Sequence, residues 1–157
     1  MTARRLDDID RRILGELQRD GRLSNVELAA RVGLSASPCL ARVRRLEREG
    51  ILKGYVALVS PEALGLAITV FIQVTLERQS ERTLEIFETR VRAFPEVMEC
   101  YLMTGDSDYL LRLVAPDVQA LQRFIIQDLT TIPGVANIRS SFALKQVAYR
   151  TALPLSE

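Results

Sequence analysis

Apolar positions recur at helical spacing over the first fifty residues and alternate after about residue 60. Ile9, Ile13, Leu14 and Leu17 share one stripe of a first helix, which Asp20 and Gly21 stop. A second helix starts at Ser24, where Glu27 completes a capping box, and it runs through Val26, Leu28, Ala29 and Val32 to Gly33. A third starts at Ser35, tolerates Pro38 in its first turn, and ends at Gly50. Two short helices divided by a Gly-Leu-Ser turn, the second longer and basic, form a helix-turn-helix pattern. At about 100° per residue, Cys39, Val43 and Leu46 face inward along the third helix. Ser37, Ala41, Arg44 and Arg48 lie opposite, with Arg45 beside them. Small residues let a helix approach the major groove, and arginines reach guanine edges or phosphates. An isolated helix with this face would be read as merely solvated; the capped helix and glycine turn before it favour DNA.

Residues 69–76 alternate cleanly, with Val70, Ile72, Val74 and Leu76 on one side and Thr69, Phe71, Gln73 and Thr75 on the other. Ser80 caps a helix carrying Leu84, Phe87, Val91 and Phe94, which Pro95 ends. Strands follow at 97–103 and 109–114 around a turn at 105–108. Asp117 caps a further helix with Val118, Leu121, Phe124, Ile125 and Leu129; after Pro133-Gly134 a last strand covers 135–144. The order β-α-β-β-α-β, with similar Phe94-Pro95-Glu96-Val97 and Ile132-Pro133-Gly134-Val135 junctions, predicts a ferredoxin-like unit. The fold class is therefore α+β: an N-terminal helix-turn-helix, winged-helix-like domain followed by a ferredoxin-like βαββαβ domain. Two helices cover only one face of such a sheet. The other would show Phe71, Tyr101, Met103, Leu110 and Val114, an apolar patch that suits a homodimer and hence paired DNA half-sites.

Composition changes the picture mainly by exclusion. The 157 residues include no histidine, which removes Ser-His-Asp and Cys-His catalysis and histidine metal sites. Cys39 and Cys100 are too far apart in sequence for a metal or redox motif, so no metal and no cofactor is expected. The net charge of +1 conceals an asymmetry. Residues 1–53 carry twelve basic and eight acidic side chains, and residues 54–157 carry nine and twelve. That split suits a nucleic-acid-binding segment joined to an assembly domain. The charged first ten residues lack a following apolar core, and no apolar run reaches the roughly 18 residues of a membrane span. The expected setting is cytoplasmic and away from membranes, with both cysteines reduced and buried as small apolar groups.

The segments Leu6-Asp7-Asp8-Ile9-Asp10, Asp20-Gly21-Arg22-Leu23-Ser24-Asn25 and Val32-Gly33-Leu34-Ser35 through Pro38-Cys39 resemble the Lrp/AsnC (leucine-responsive, feast/famine) family of transcriptional regulators. Arg42-Val43-Arg44-Arg45-Leu46-Glu47 and Gly105-Asp106-Ser107-Asp108-Tyr109 share the resemblance, which extends from Leu6 to about Val147. Residues 96–154 are most similar to activators of branched-chain keto acid catabolism. The resemblance implies a DNA-binding domain over 1–53 with its motif at about 25–44, a strand-like connector at 54–60, and an effector and oligomerisation domain over 61–157. It implies contact with double-stranded DNA, for which the expected residues are Ser35, Ser37, Pro38, Ala41, Arg44, Arg45 and Arg48. It also implies dimers that assemble into octamers and an amino-acid effector bound between dimers near the Gly-Asp-x-Asp turn. The expected effector residues are Met103, Thr104, Gly105, Asp106 and Asp108. Chemistry suits that turn: glycine allows close backbone approach, and the aspartates offer negative charge to an ammonium group. A ligand-free hairpin would use the same residues.

The leading reading is a sequence-specific regulator of amino-acid metabolism gated by a small effector, and not an enzyme. An architectural DNA-wrapping protein with no small-molecule response would assemble identically. An enzyme using Asp106 and Asp108 as an acid–base pair is the third reading, weakened by the missing histidine, the missing nucleophile motif and the attached DNA-binding half.

Overall fold

Helix α1 (Asp8–Arg19) begins at a capping box that the sequence reading had not singled out. The Asp7 carboxylate accepts from the Asp10 N–H at 2.8 Å, and the Asp10 carboxylate accepts from the Asp7 N–H at 3.3 Å. Two otherwise orphaned donors are thereby satisfied. Helix α2 (Asn25–Val32) carries the expected box between Ser24 and Glu27, and Gly33 leaves it at φ 75°. Helix α3 (Ala36–Arg48) follows with Pro38 in its first turn, where a helix has no use for the missing N–H.

The computed structural model describes residues 6–155, which fall into two compact units. Among the described residues, one comprises Leu6–Leu58 with Val147–Leu155; the other is Val59–Gln146. In the first unit Ile13, Leu14 and Leu17 of α1 converge with Leu28, Ala29 and Val32 of α2 and Cys39, Val43 and Leu46 of α3. Burial of each large side chain contributes about 1.5–3 kcal/mol. Val26, read as part of this stripe, is 69% exposed, because two residues before Leu28 is the opposite side of a helix.

Two boundaries differ from expectation. Residues 54–60 form no ladder with any described residue, so the connector is not a paired strand; Tyr55 donates to Glu47 Oε1 at 3.4 Å instead. The segment Val147–Leu155, assigned by sequence to a second domain ending at 157, clusters with the helices instead. Gln18 holds it: its amide donates to the Leu153 carbonyl at 3.2 Å and its carbonyl accepts the Leu153 N–H at 2.6 Å. Gly15 leaves room for Leu155, whose Cδ1 lies 3.7 Å from the position a Cβ would take.

The second unit opens with a helical turn, Glu62–Leu64, followed by β1 (Ile68–Leu76) and α4 (Glu81–Arg92). Then come β2 (Val97–Leu102), β3 (Tyr109–Ala115), α5 (Val118–Arg123) and β4 (Val135–Phe142). The winding widens to π-type over Phe124–Leu129, so the last helix is not the single α-helix its pattern predicts. The four strands pair antiparallel in the order β2-β3-β1-β4, the ferredoxin-like arrangement. Val70, Ile72 and Val74 of β1 and Leu111 and Leu113 of β3 are fully buried against Phe87 and Val91 of α4 and Leu121, Phe124 and Leu129. The Phe87 and Tyr109 rings stack at 4.4 Å between centroids. At Gly134, φ is 91° and an added Cβ would meet Thr83 Cγ2 at 2.5 Å, so only glycine fits that junction. β4 ends two residues earlier than expected, and Leu144 is left 98% exposed.

Candidate DNA-binding face and effector turn

Helix periodicity makes α3 two-sided. Ser35, Ser37, Pro38, Ala41, Arg44 and Arg48 are all exposed, and neither Arg44 nor Arg48 has an ion-pair partner among the described residues. Ser35 occupies the N-cap position without making a side-chain cap bond, which leaves the first N–H groups of α3 open to an anion. Asn25, at the start of α2, donates from its side-chain amide to the Ala36 carbonyl at 2.7 Å and so ties the two helix starts together.

Arg45 departs from the expected set. It is half-buried, and its Nη2 lies 2.5 Å from Asp10 Oδ2. Arg42 pairs with the same carboxylate through Oδ1 at 2.8 Å and with Asp7 Oδ2 at 2.6 Å. The reason is angular: Arg45 projects about 70° from the centre of the exposed stripe, towards α1. The Arg42 guanidinium holds the Asp7 carboxyl below its ordinary pKa, with the Asp10 N–H adding to the effect. Sequence reasoning missed this group, although a signal was present. Asp10 is placed with Ile13, Leu14 and Leu17 at helix spacing, and an acid on an apolar stripe demands a buried partner.

In the second unit the expected effector residues gather at the β2–β3 turn. Met103, Thr104, Gly105 and Asp106 are exposed, and Gly105 takes φ 118°, a conformation that favours glycine. Asp108 is different: it is only 5% exposed and its hydrogen bonds are internal. Its Oδ2 accepts from the Leu76 N–H at 2.6 Å, and its Oδ1 accepts from the Gln79 side chain. Its own N–H donates to the Val74 carbonyl at 2.9 Å, and its carbonyl accepts from the Met103 N–H at 2.8 Å. Asp108 thus anchors the turn to the end of β1, while Asp106 faces solvent. Gln79, on the β1–α4 loop, was not singled out by the sequence; only the folded chain brings it to a residue 29 positions away.

The face of the sheet not covered by helices presents Phe71, Tyr101 and Met103 exposed and Leu110 half-buried. Tyr101 stands opposite Leu110 in the β2–β3 ladder, and the Arg112–Glu99 ion pair at 2.7 Å borders them. Val114, expected on this patch, is already buried. On the other face, α4 and the edge strand β2 enclose a groove of about 360 Å³ lined by Glu88, Arg92, Met98, Cys100, Leu102 and Tyr109 among others. Cys100 was expected to be buried; it is exposed as a strand residue, yet burial of its thiol and the nearby Glu88 push its pKa up to about 11. Among the described residues no helix is long and apolar enough to cross a membrane.

A helix-turn-helix with an exposed basic recognition helix and a ferredoxin-like ligand domain together define a class of transcriptional regulator. Residues 6–53 match the winged helix-turn-helix DNA-binding family, and residues 69–153 match the Lrp/AsnC ligand binding domain. The chain belongs to the Lrp/AsnC family of DNA-binding transcriptional regulators. It is 52% identical over 150 residues to the Bkd operon transcriptional regulator of Pseudomonas aeruginosa, covering 96% of this chain and 98% of that protein. It is 48% identical over 142 residues to the leucine-responsive regulatory protein of Escherichia coli, covering 90% and 87%. A transcriptional regulator from Neisseria meningitidis, solved with L-Met, superposes with a TM-score of 0.91 at 44% identity, covering 96% of this chain and 97% of that one.

Proposed function

We propose that this regulator reads DNA through Ser35, Ser37, Pro38, Ala41, Arg44 and Arg48 of the α3 face, and that a free amino acid gates it at the 105–108 turn. The first half rests on an exposed helix side that carries small residues at its start and, further along, arginines with no ion-pair partner among the described residues. For the second, the carrying observation is the division of labour between two aspartates. Asp108 is consumed by the fold, and Asp106 is left to receive an ammonium group. The relative solved with L-Met supports an amino-acid ligand. The resemblance of residues 96–154 to activators of branched-chain keto acid catabolism puts branched-chain amino acids first among effectors. Gly105 and Thr104 would offer backbone groups to the carboxylate, and Met103 lies beside them as an apolar contact. A homodimer through the Phe71–Tyr101–Leu110 face, assembly of dimers into octamers around the turn, and residence in the cytoplasm complete the reading.

A thermal-shift panel of free amino acids, followed by size-exclusion chromatography of each hit, tests the gating. At least one amino acid is expected to raise the melting temperature of the wild type. Asp106→Asn should lose that shift while binding DNA in the absence of ligand as before. A full response in Asp106→Asn would remove the turn as the effector site.

A further inference from the structure

Asp10 is a buried carboxylate, 3% exposed, whose two oxygens each hold one arginine of α3. Asp7 adds a second contact to Arg42, so the N-terminal cap of α1 and the middle of the recognition helix form one neutral cluster of two acids and two bases. Both arginine side chains keep about a quarter of their surface in contact with solvent, so neither is sealed inside the core. Arg45 stands at the border of the exposed stripe; one rotation of its long side chain would turn the guanidinium outward to a phosphate. Its Nε is also buried without a hydrogen-bond partner, so the inward position does not satisfy every donor. Asp10 is what keeps the inward position favourable.

We propose that Asp10 is a charge gate on the DNA-binding face: it withholds Arg45 from the phosphate backbone, and thereby limits sequence-independent affinity without touching the residues that read bases. Asp10 is then the positioning residue, acting from α1 on Arg45 of α3, while Arg42 ties the two helices together through Asp7 and Asp10. The inference rests on the reading of α3 as the DNA-contacting helix. Physically, each phosphate neutralised by a basic side chain steepens the salt dependence of binding by about 0.9 and strengthens binding to any sequence alike. Phosphate contacts position the protein but carry no sequence information. A gate that removes one such contact therefore lowers non-specific binding more than it harms discrimination, which depends on the ratio of the two.

The test measures fluorescence anisotropy of the full chain against a random-sequence duplex and against a duplex selected by this protein from a random pool, over a series of salt concentrations. Circular dichroism confirms that each variant is folded at the assay temperature. Arg44→Ala is expected to flatten the salt slope by about 0.9, and Arg45→Ala to leave it unchanged. Asp10→Asn should steepen the slope by about 0.9 for both duplexes and tighten binding to both by the same factor, leaving their ratio unchanged. In Asp10→Asn/Arg45→Ala the slope should return to the wild-type value, a reversal that a purely structural role for Asp10 would not produce. A slope in Arg45→Ala that falls as far as in Arg44→Ala would overturn the proposal, as would an unchanged or flatter slope in Asp10→Asn. If Asp10→Asn does not fold, the Arg44→Ala and Arg45→Ala comparison decides alone. No change in Arg44→Ala or Arg48→Ala would instead overturn the assignment of α3 to DNA.

Discussion

Asp106 and Asp108 are chemically identical and two positions apart, and the fold gives them opposite tasks. Asp108 satisfies the Leu76 N–H and the Gln79 amide beneath the surface, whereas Asp106 stands in solvent. Removing a buried acceptor strands its donors at a cost of about 1–3 kcal/mol, so Asp108→Ala should lower the urea midpoint of the full chain by that equivalent. Asp106→Ala should leave the midpoint where it is. Equal effects would mean that the turn is held by something other than Asp108. The same contrast runs through α3: Arg44 and Arg45 are neighbours in sequence, but one turn geometry exposes the first and delivers the second to Asp10. The Gly-Asp-x-Asp turn and the arginine-rich helix were legible in the sequence as candidates. The partners that sort their members, Asp10 and Gln79, lie 35 and 29 residues away along the chain; the α1 pattern shows that Asp10 needs a partner but not which residue supplies it.

At the scale of elements, local rules worked wherever local contacts set the boundary. The Ser24 box, the Gly33 stop, the Ser80 and Asp117 caps and the alternation of β1 all depend on residues within one turn or one pleat. The last helix changes winding over Phe124–Leu129 and β4 ends at Phe142, two differences that no local rule announced. The α1 cap couples an element to acid. Asp7 has its folded pKa lowered, first by Arg42 and then by the Asp10 N–H, from an ordinary value of 3.8. A depressed acid stabilises the fold fully above its unfolded pKa of about 3.9, and that contribution disappears as pH falls through the lower folded value. The contribution is small, since Asp7 is half-exposed and solvent screens the pair. Between about pH 5 and about pH 3, wild type should therefore lose more helical stability than Asp7→Asn, measured by urea titration of circular dichroism. Parallel losses in the two proteins would place the acid sensitivity elsewhere.

Over the whole molecule, the sheet order decides which apolar residues share the open face. With β2-β3-β1-β4 and both helices on one side, Phe71, Tyr101 and Leu110 come from three different strands to one open face. Phe71→Glu should convert the expected dimer to a smaller species on size-exclusion chromatography while circular dichroism stays that of the folded chain. An unchanged elution volume would move the dimer contact off this face. The amino-acid sequence by itself determined the two-part organisation, the element order and the helix-turn-helix pattern. Those follow from periodicity, caps and the separation of charge along the chain, all short-range properties. Only the tertiary structure decided which arginine pairs with Asp10 and which stays exposed, which aspartate is buried, and that Val147–Leu155 cluster with the helical unit. Each of those outcomes depends on a hydrogen bond or ion pair between residues far apart in sequence. Such pairs form only once the apolar stripes have packed.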